Sequence, residues 1–153
     1  MEVVEGRADI DDVGAFVARL GTIGEDHGVT VQAFDARYVV DRVHLQRAVD
    51  LATRARERGD TIADDFGVEI LLYAAGRRKI NQALEMGVAE GTGPAVVLVD
   101  GDGDEAAAAA DVGAMLEAAE TLGEYDPRAG PRVLRRGRGR TRRDGRGPAR
   151  GRT

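Results

Sequence analysis

The chain of 153 residues contains no cysteine and no tryptophan, and serine is missing as well. The lack of cysteine excludes disulfides, thiolate metal ligands and cysteine nucleophiles together, and the lack of serine removes the commonest hydroxyl nucleophile. A nucleophilic triad would have to be built on threonine, tyrosine, lysine or a carboxylate, and no arrangement in the sequence suggests one. Aromatic residues make up only 4% of the chain, and no apolar run approaches the roughly 20 residues of a membrane span. The start, MEVVEGRADIDD, is acidic and has no apolar segment of the kind a secretory signal needs. These absences predict a soluble cytoplasmic protein with a single core, since about 150 residues suffice for one domain.

Lysine is scarce too: Lys79 is the only one, and it stands next to Arg77 and Arg78. The overall charge of −5 averages two unlike parts. Residues 1–131 carry 12 basic against 26 acidic side chains, a net of −14, whereas residues 132–153 carry ten arginines and one acid, a net of +9. The acidic body has the surface chemistry of a protein that works in molar salt, where high net charge keeps a chain soluble; GC-rich codon usage is the other source of such a balance. The basic segment has no apolar period and is expected to be a disordered tail over 129–153, outside a folded domain of residues 1–128. It fits an arginine-glycine RNA-binding tail. It also fits a shifted reading frame of a GC-rich gene, whose codons yield Arg, Gly, Pro and Ala, and the abrupt swing from −14 to +9 favours this second reading.

Strand signals are short: Val3 and Val4, the alternating Val29 to Phe34, and the apolar run Ala95 to Val99. Helices are expected between them. Asp9 can cap one whose stripe is Val13, Phe16, Val17 and Leu20, with Gly21 ending it. Asp41 can cap a longer one with Leu45, Ala48, Val49, Ala52 and Ala55 inward and Gly59 as its end. Asp64 or Asp65 opens a third, through Ile70 to Ala75, closed by Gly76, and Ile80, Leu84 and Gly87 mark a short fourth. From Asp104 the segment DEAAAAADVGAMLEAAETLG reads as one helix with acids in its first turn. Alternating strands and helices predict a mixed α/β (α+β) domain, a small sheet flanked by helices. The order and direction of its strands are not readable from the sequence.

Several motifs invite a function and fail on chemistry. Asp100, Asp102 and Asp104 imitate the first half of a calcium loop, but Glu105 stands where the sharp turn needs glycine and Asp111 where the bidentate glutamate belongs. His27 and His44 have no partner at metal spacing, so no metal ion is expected. Gly91, Gly93 and Pro94 precede a strand, whereas phosphate-binding glycines follow one and open a helix. Arg47, Arg54 and Arg58 share a flank of the helix from Asp41. That flank is either a solvated face, with Asp50 near Arg47, or a secondary basic track for a nucleic-acid backbone.

The triplet Arg77, Arg78 and Lys79 is different, because it falls at the expected start of the short helix, where the macrodipole already disfavours cations by about 0.3–1 kcal/mol per charge. A bound anion would remove that conflict: two guanidinium forks, an ammonium and helix N–H groups match a phosphate. Asn81 adds a hydrogen-bonding side chain in the following turn, and Tyr73, one turn earlier, either stacks on a base or belongs to the core. The alternative is a solvated turn neutralised by Glu69 or Glu85. Those two acids would also be the only general-base candidates if the site acted on a phosphorylated metabolite.

FGVEILLYAAGRRKINQALEMGVAEG resembles the signature of the Cgi-type (TPRKB, PRPK-binding protein) subunit of the KEOPS/EKC complex, in its archaeal and haloarchaeal form. TIGEDHGVTVQAFDARYVVDRVHLQRAVDLATRARERG resembles the region just upstream in archaeal members. The likeness runs from about Val3 to Asp126 and stops before the basic tail, where the family would be expected to carry further folded residues. It implies a small sheet with flanking helices and no catalysis by this chain. It also implies binding to the PRPK-type kinase/ATPase subunit and help in recruiting tRNA, at its 3′ CCA end, for threonylcarbamoyladenosine modification beside the anticodon. ATP, metal and donor chemistry belong to partner subunits, and neither a small-molecule substrate nor a membrane is implied.

Overall fold

A computed structural model describes residues 1–63, 65–76 and 87–126. Four strands, β1 (Glu2–Ile10), β2 (Thr30–Asp35), β3 (Gly91–Asp100) and β4 (Glu117–Ala118), form one antiparallel sheet in the order β2-β3-β1-β4. Helices α1 (Val13–His27), α2 (Arg42–Arg58), α3 (Phe66–Ala74) and α4 (Glu105–Gly113) cover it, and the mixed α+β fold expected from the sequence is the fold observed.

The sheet separates two apolar layers. Phe34, Val96 and Leu98 pack with Leu45, Val49, Ile70 and Leu72 of α2 and α3. Ala33, Val97 and Val99 pack with Leu20 and Ile23 of α1 and with Ala108 and Val112 of α4. Alternate residues of β3 therefore serve opposite layers, which is why its sequence is continuously apolar: it is a central strand covered on both faces.

Helix α2 follows its sequence signals closely. The Asp41 carboxylate accepts the His44 N–H at 2.9 Å, all five stripe residues from Leu45 to Ala55 are buried, and Gly59 closes the helix at φ 75°. Asp65 caps α3 by accepting from the Val68 N–H. Asp104 caps α4 through the Ala107 N–H.

Three expectations are corrected. β1 is not a pair of valines but nine residues, in which Val4, Gly6, Ala8 and Ile10 alternate with Glu5, Arg7 and Asp9. Since the chain is still a strand at Asp9, the α1 cap is Asp12, bonded to the Ala15 N–H at 3.1 Å. The helix runs through Gly21 to a left-handed Gly28, its buried residues are Leu20, Ile23 and Gly24, and Val17 is exposed.

The third concerns the alanine-rich helix, which stops at Gly113 so that Glu117 and Ala118 can pair with Arg7 and Gly6. Gly6 permits this approach: a Cβ there would stand 2.7 Å from the Glu117 carbonyl oxygen and 2.8 Å from the Leu116 Cβ. Beyond the pairing, Glu5 Oε1 accepts the N–H groups of Thr121 and Leu122, both at 2.9 Å. The buried Thr121 hydroxyl donates to the Ala95 carbonyl at 2.8 Å.

Candidate functional site

The approach to the cationic triplet is well defined. α3 ends with the Ala75 N–H on the Leu71 carbonyl at 2.9 Å, and the Gly76 N–H reaches the Tyr73 carbonyl at 3.1 Å. Gly76 then turns the chain at φ 80°, immediately before Arg77. Arg77, Arg78, Lys79 and Asn81, together with Glu85 and the short helix expected around them, lie outside the described residues.

His44 fastens this end of α3 to the start of α2. Its Nδ1 accepts the Val40 N–H at 3.2 Å, so that nitrogen carries no proton, and Nε2 donates to the Ala74 carbonyl at 2.9 Å. The histidine thus has a structural role, tying the two helices together. Tyr73 is half-buried and packs against the α2/α3 core layer.

Glu69, the other acid named as a neutraliser or base for the triplet, is engaged with the loop before α3. It lies in the first half of α3, is 0% exposed, and its Oε1 accepts the Ile62 N–H at 3.0 Å and the Ala63 N–H at 2.8 Å. Its other oxygen has no hydrogen-bond partner among the described residues. The side chain points back along the helix, as helical side chains do, and holds the α2–α3 loop instead.

On α2, Arg47, Arg54 and Arg58 are all exposed. Arg58 pairs with Asp60 at 3.1 Å. Asp50, expected beside Arg47, accepts from Gln46 at 3.0 Å. The flank therefore presents Arg47 and Arg54 to solvent with no ion pair among the described residues. From Arg47 to Arg58 it spans about 16 Å of helix.

The sequence reading missed three cations that the fold commits. Arg37 forks onto Asp35 through Nε at 3.0 Å and Nη2 at 2.6 Å. This hydrogen-bonded pairing pushes the guanidinium further above its ordinary range, against the opposing effect of burial. Arg37 and Asp35 line a small pocket with Thr92 and the segment from Val88 to Pro94. Arg56 lies over the Phe66 ring, 4.0 Å from its centroid, and Arg42 donates to the Met1 carbonyl at 2.8 Å. Only the two-residue spacing of Asp35 and Arg37 at a strand end was a local signal; the other partners are distant in sequence.

The acidic DGDGD segment is built for packing. Asp104 and Gly103 donate their N–H groups to the His27 and Gly28 carbonyls at 2.9 and 3.2 Å, which satisfies the end of α1. A Cβ on Gly103 would overlap the His27 carbonyl oxygen. Asp100 faces the N-terminal amine at 3.8 Å, and burial raises its pKa, partly countered by that amine. Among the described residues no cluster of His, Cys, Asp or Glu could hold a metal ion, and no helix is long and apolar enough to cross a membrane.

The class these elements define is a small mixed α+β domain, a four-stranded antiparallel sheet with helices on both faces. The model of the family described as kinase binding protein CGI-121 matches residues 10–124. The chain belongs to that family, which carries with it the role of a kinase-binding adaptor. A comparison with curated proteins returns no match.

Proposed function

We propose that this chain is the noncatalytic Cgi-type subunit of a KEOPS complex in a haloarchaeal cytoplasm. In this reading it docks the small PRPK-type kinase/ATPase subunit and helps to recruit tRNA, by its 3′ CCA end, for threonylcarbamoyladenosine modification. The observation that carries it is the family match, which extends from the end of β1 through β4 to the Thr121 turn. The unexplained cationic triplet at the end of α3 supports the RNA part. Arg77, Arg78 and Lys79 would hold phosphate, Asn81 would add a hydrogen bond, and the exposed Arg47 and Arg54 would follow the backbone.

A body of net charge −14 repels tRNA at long range. In molar salt the Debye length falls to about 3 Å, and binding by counterion release weakens. Recognition then rests on contacts: forked hydrogen bonds and base stacking worth about 1–3 kcal/mol per base.

The test is tRNA binding at molar salt by wild type and by an Arg77→Glu, Lys79→Glu variant, with intact tRNA and with tRNA lacking its 3′ end. Loss of affinity in the variant, and for the shortened tRNA, is expected. Equal affinities throughout would refute the RNA role. Loss of kinase binding in the same variant, with tRNA affinity unchanged, would instead assign the triplet to a pure protein-interaction adaptor.

A further inference from the structure

A wide groove of about 740 Å³ opens at the end of the sheet remote from Asp126. It is lined by Val29, by Thr30 and Val31 at the start of β2, and by the exposed glycines Gly21, Gly28 and Gly101, which carry no side chain to cover their main chain. Four carboxylates line it, Glu25, Asp65, Asp100 and Asp102, against one cation, Arg56.

That cation is already engaged over the Phe66 ring. Asp65 is occupied by its cap, and Asp100 by the N-terminal amine. Glu25 and Asp102 have no hydrogen-bond or ion-pair partner among the described residues. The groove thus presents an uncompensated negative charge beside exposed backbone, a fit for an extended segment carrying guanidinium groups, which bind carboxylates in forked pairs.

Such a segment exists in the same chain. We propose that the groove is the docking site of the chain's own arginine-glycine tail, residues 132–153, whose net charge is +9. These residues lie outside the described ones, but their point of departure is fixed. The Asp126 N–H is bonded to the Arg37 carbonyl at 2.8 Å, just past the far end of β2. The six residues of β2 span about 20 Å. The stretch from Pro127 to Arg135 extends to about 30 Å, so arginines from Arg135 onward reach the groove. Its glycines, alternating with arginine from Gly137 to Arg140, let the backbone lie close to the glycine walls. Being tethered, the tail meets the groove at an effective concentration on the order of millimolar, so modest attraction is sufficient.

The absence of cysteine makes the test direct, since Thr141→Cys in the full chain gives a single position for a nitroxide label. The expected result is paramagnetic loss of the amide signals of Gly28, Thr30 and Asp102, with signals near β4 retained. That loss, measured at about 1 M salt, where the Debye length is about 3 Å and only charges in contact still attract, is expected to reverse in a Glu25→Lys, Asp102→Lys variant. Four results would overturn the proposal: no loss at the groove, equal loss over the whole acidic surface, loss unchanged in the double variant, or loss appearing only in unlabelled chains mixed with labelled ones, which would mean docking onto a second copy.

Discussion

Replacing Glu69 gives a graded test of how α3 is held. Its Oε1 anchors two loop N–H groups, and the carboxylate is fully buried while Oε2 has no partner among the described residues. Glu69→Ala removes both bonds. A hydrogen bond to a charged acceptor contributes about 1.5–3 kcal/mol. Ile62 is half-exposed, so water can partly replace the lost acceptor, and the lower figure applies to each bond. The expected loss is about 3 kcal/mol, a large share of the roughly 5–15 kcal/mol that holds a domain folded. Glu69→Leu restores volume but no acceptor and should lose nearly as much. Glu69→Gln keeps Oε1 and should lose less than half as much. Urea unfolding gives the three free energies, and hydrogen exchange at Ile62 and Ala63 reports the bonds themselves. If Glu69→Gln were as damaging as Glu69→Ala, or if exchange at those two amides were unchanged by Glu69→Leu, the anchoring role would be wrong.

Two further substitutions probe other parts of the fold. Gly6→Ala sets a Cβ against the Glu117 carbonyl and should cost about 1–3 kcal/mol by overpacking, with faster exchange at the Thr121 and Leu122 amides; an unchanged melting temperature would contradict the close packing. Asp100 has its pKa raised above 3.8, chiefly by burial, so the folded state prefers the protonated acid: the stability this gives is present below pH 3.8 and is lost as pH rises through the folded value. Asp100→Asn should therefore be more stable than wild type at pH 7, with the advantage shrinking as pH falls toward 3.8; the same difference at pH 7 and pH 4 would rule out this linkage.

The legible parts of the fold were those whose signals are local. α2 has its cap, stripe and terminal glycine within one stretch, and it forms as read. The alternation of β1 was present in the sequence but hidden, because its inward side is filled by Gly6 and Ala8, which weigh little on any hydrophobic pattern. Missing that strand moved the α1 cap to Asp9 and made Gly21 look like an end. The segment after Gly113 has good helix formers, and what overrides them is a place on β1 opened by Gly6 and anchored by Glu5, more than a hundred residues away. At the candidate site the local pattern located the end of α3 at Gly76. It could not show that Glu69 faces the other end of its helix. The macrodipole argument also has a second side, since the carbonyl end of α3 that precedes Arg77 favours cations, and this offsets part of the conflict that first distinguished the triplet.

The central pairing of β1 with β3 joins Glu2 to Val99 and Ile10 to Gly91. As the chain leaves the ribosome, β1, α1, β2 and α2 are all made before the strand that both β1 and β2 need. Neither has a sheet partner until β3, which starts at Gly91, begins to emerge, and such long-range pairing is slow because loop closure precedes any gain. For most of its synthesis the chain therefore carries two unpaired strand edges. β3 then enters between the two and pairs with both, so one late strand closes what two early ones left open.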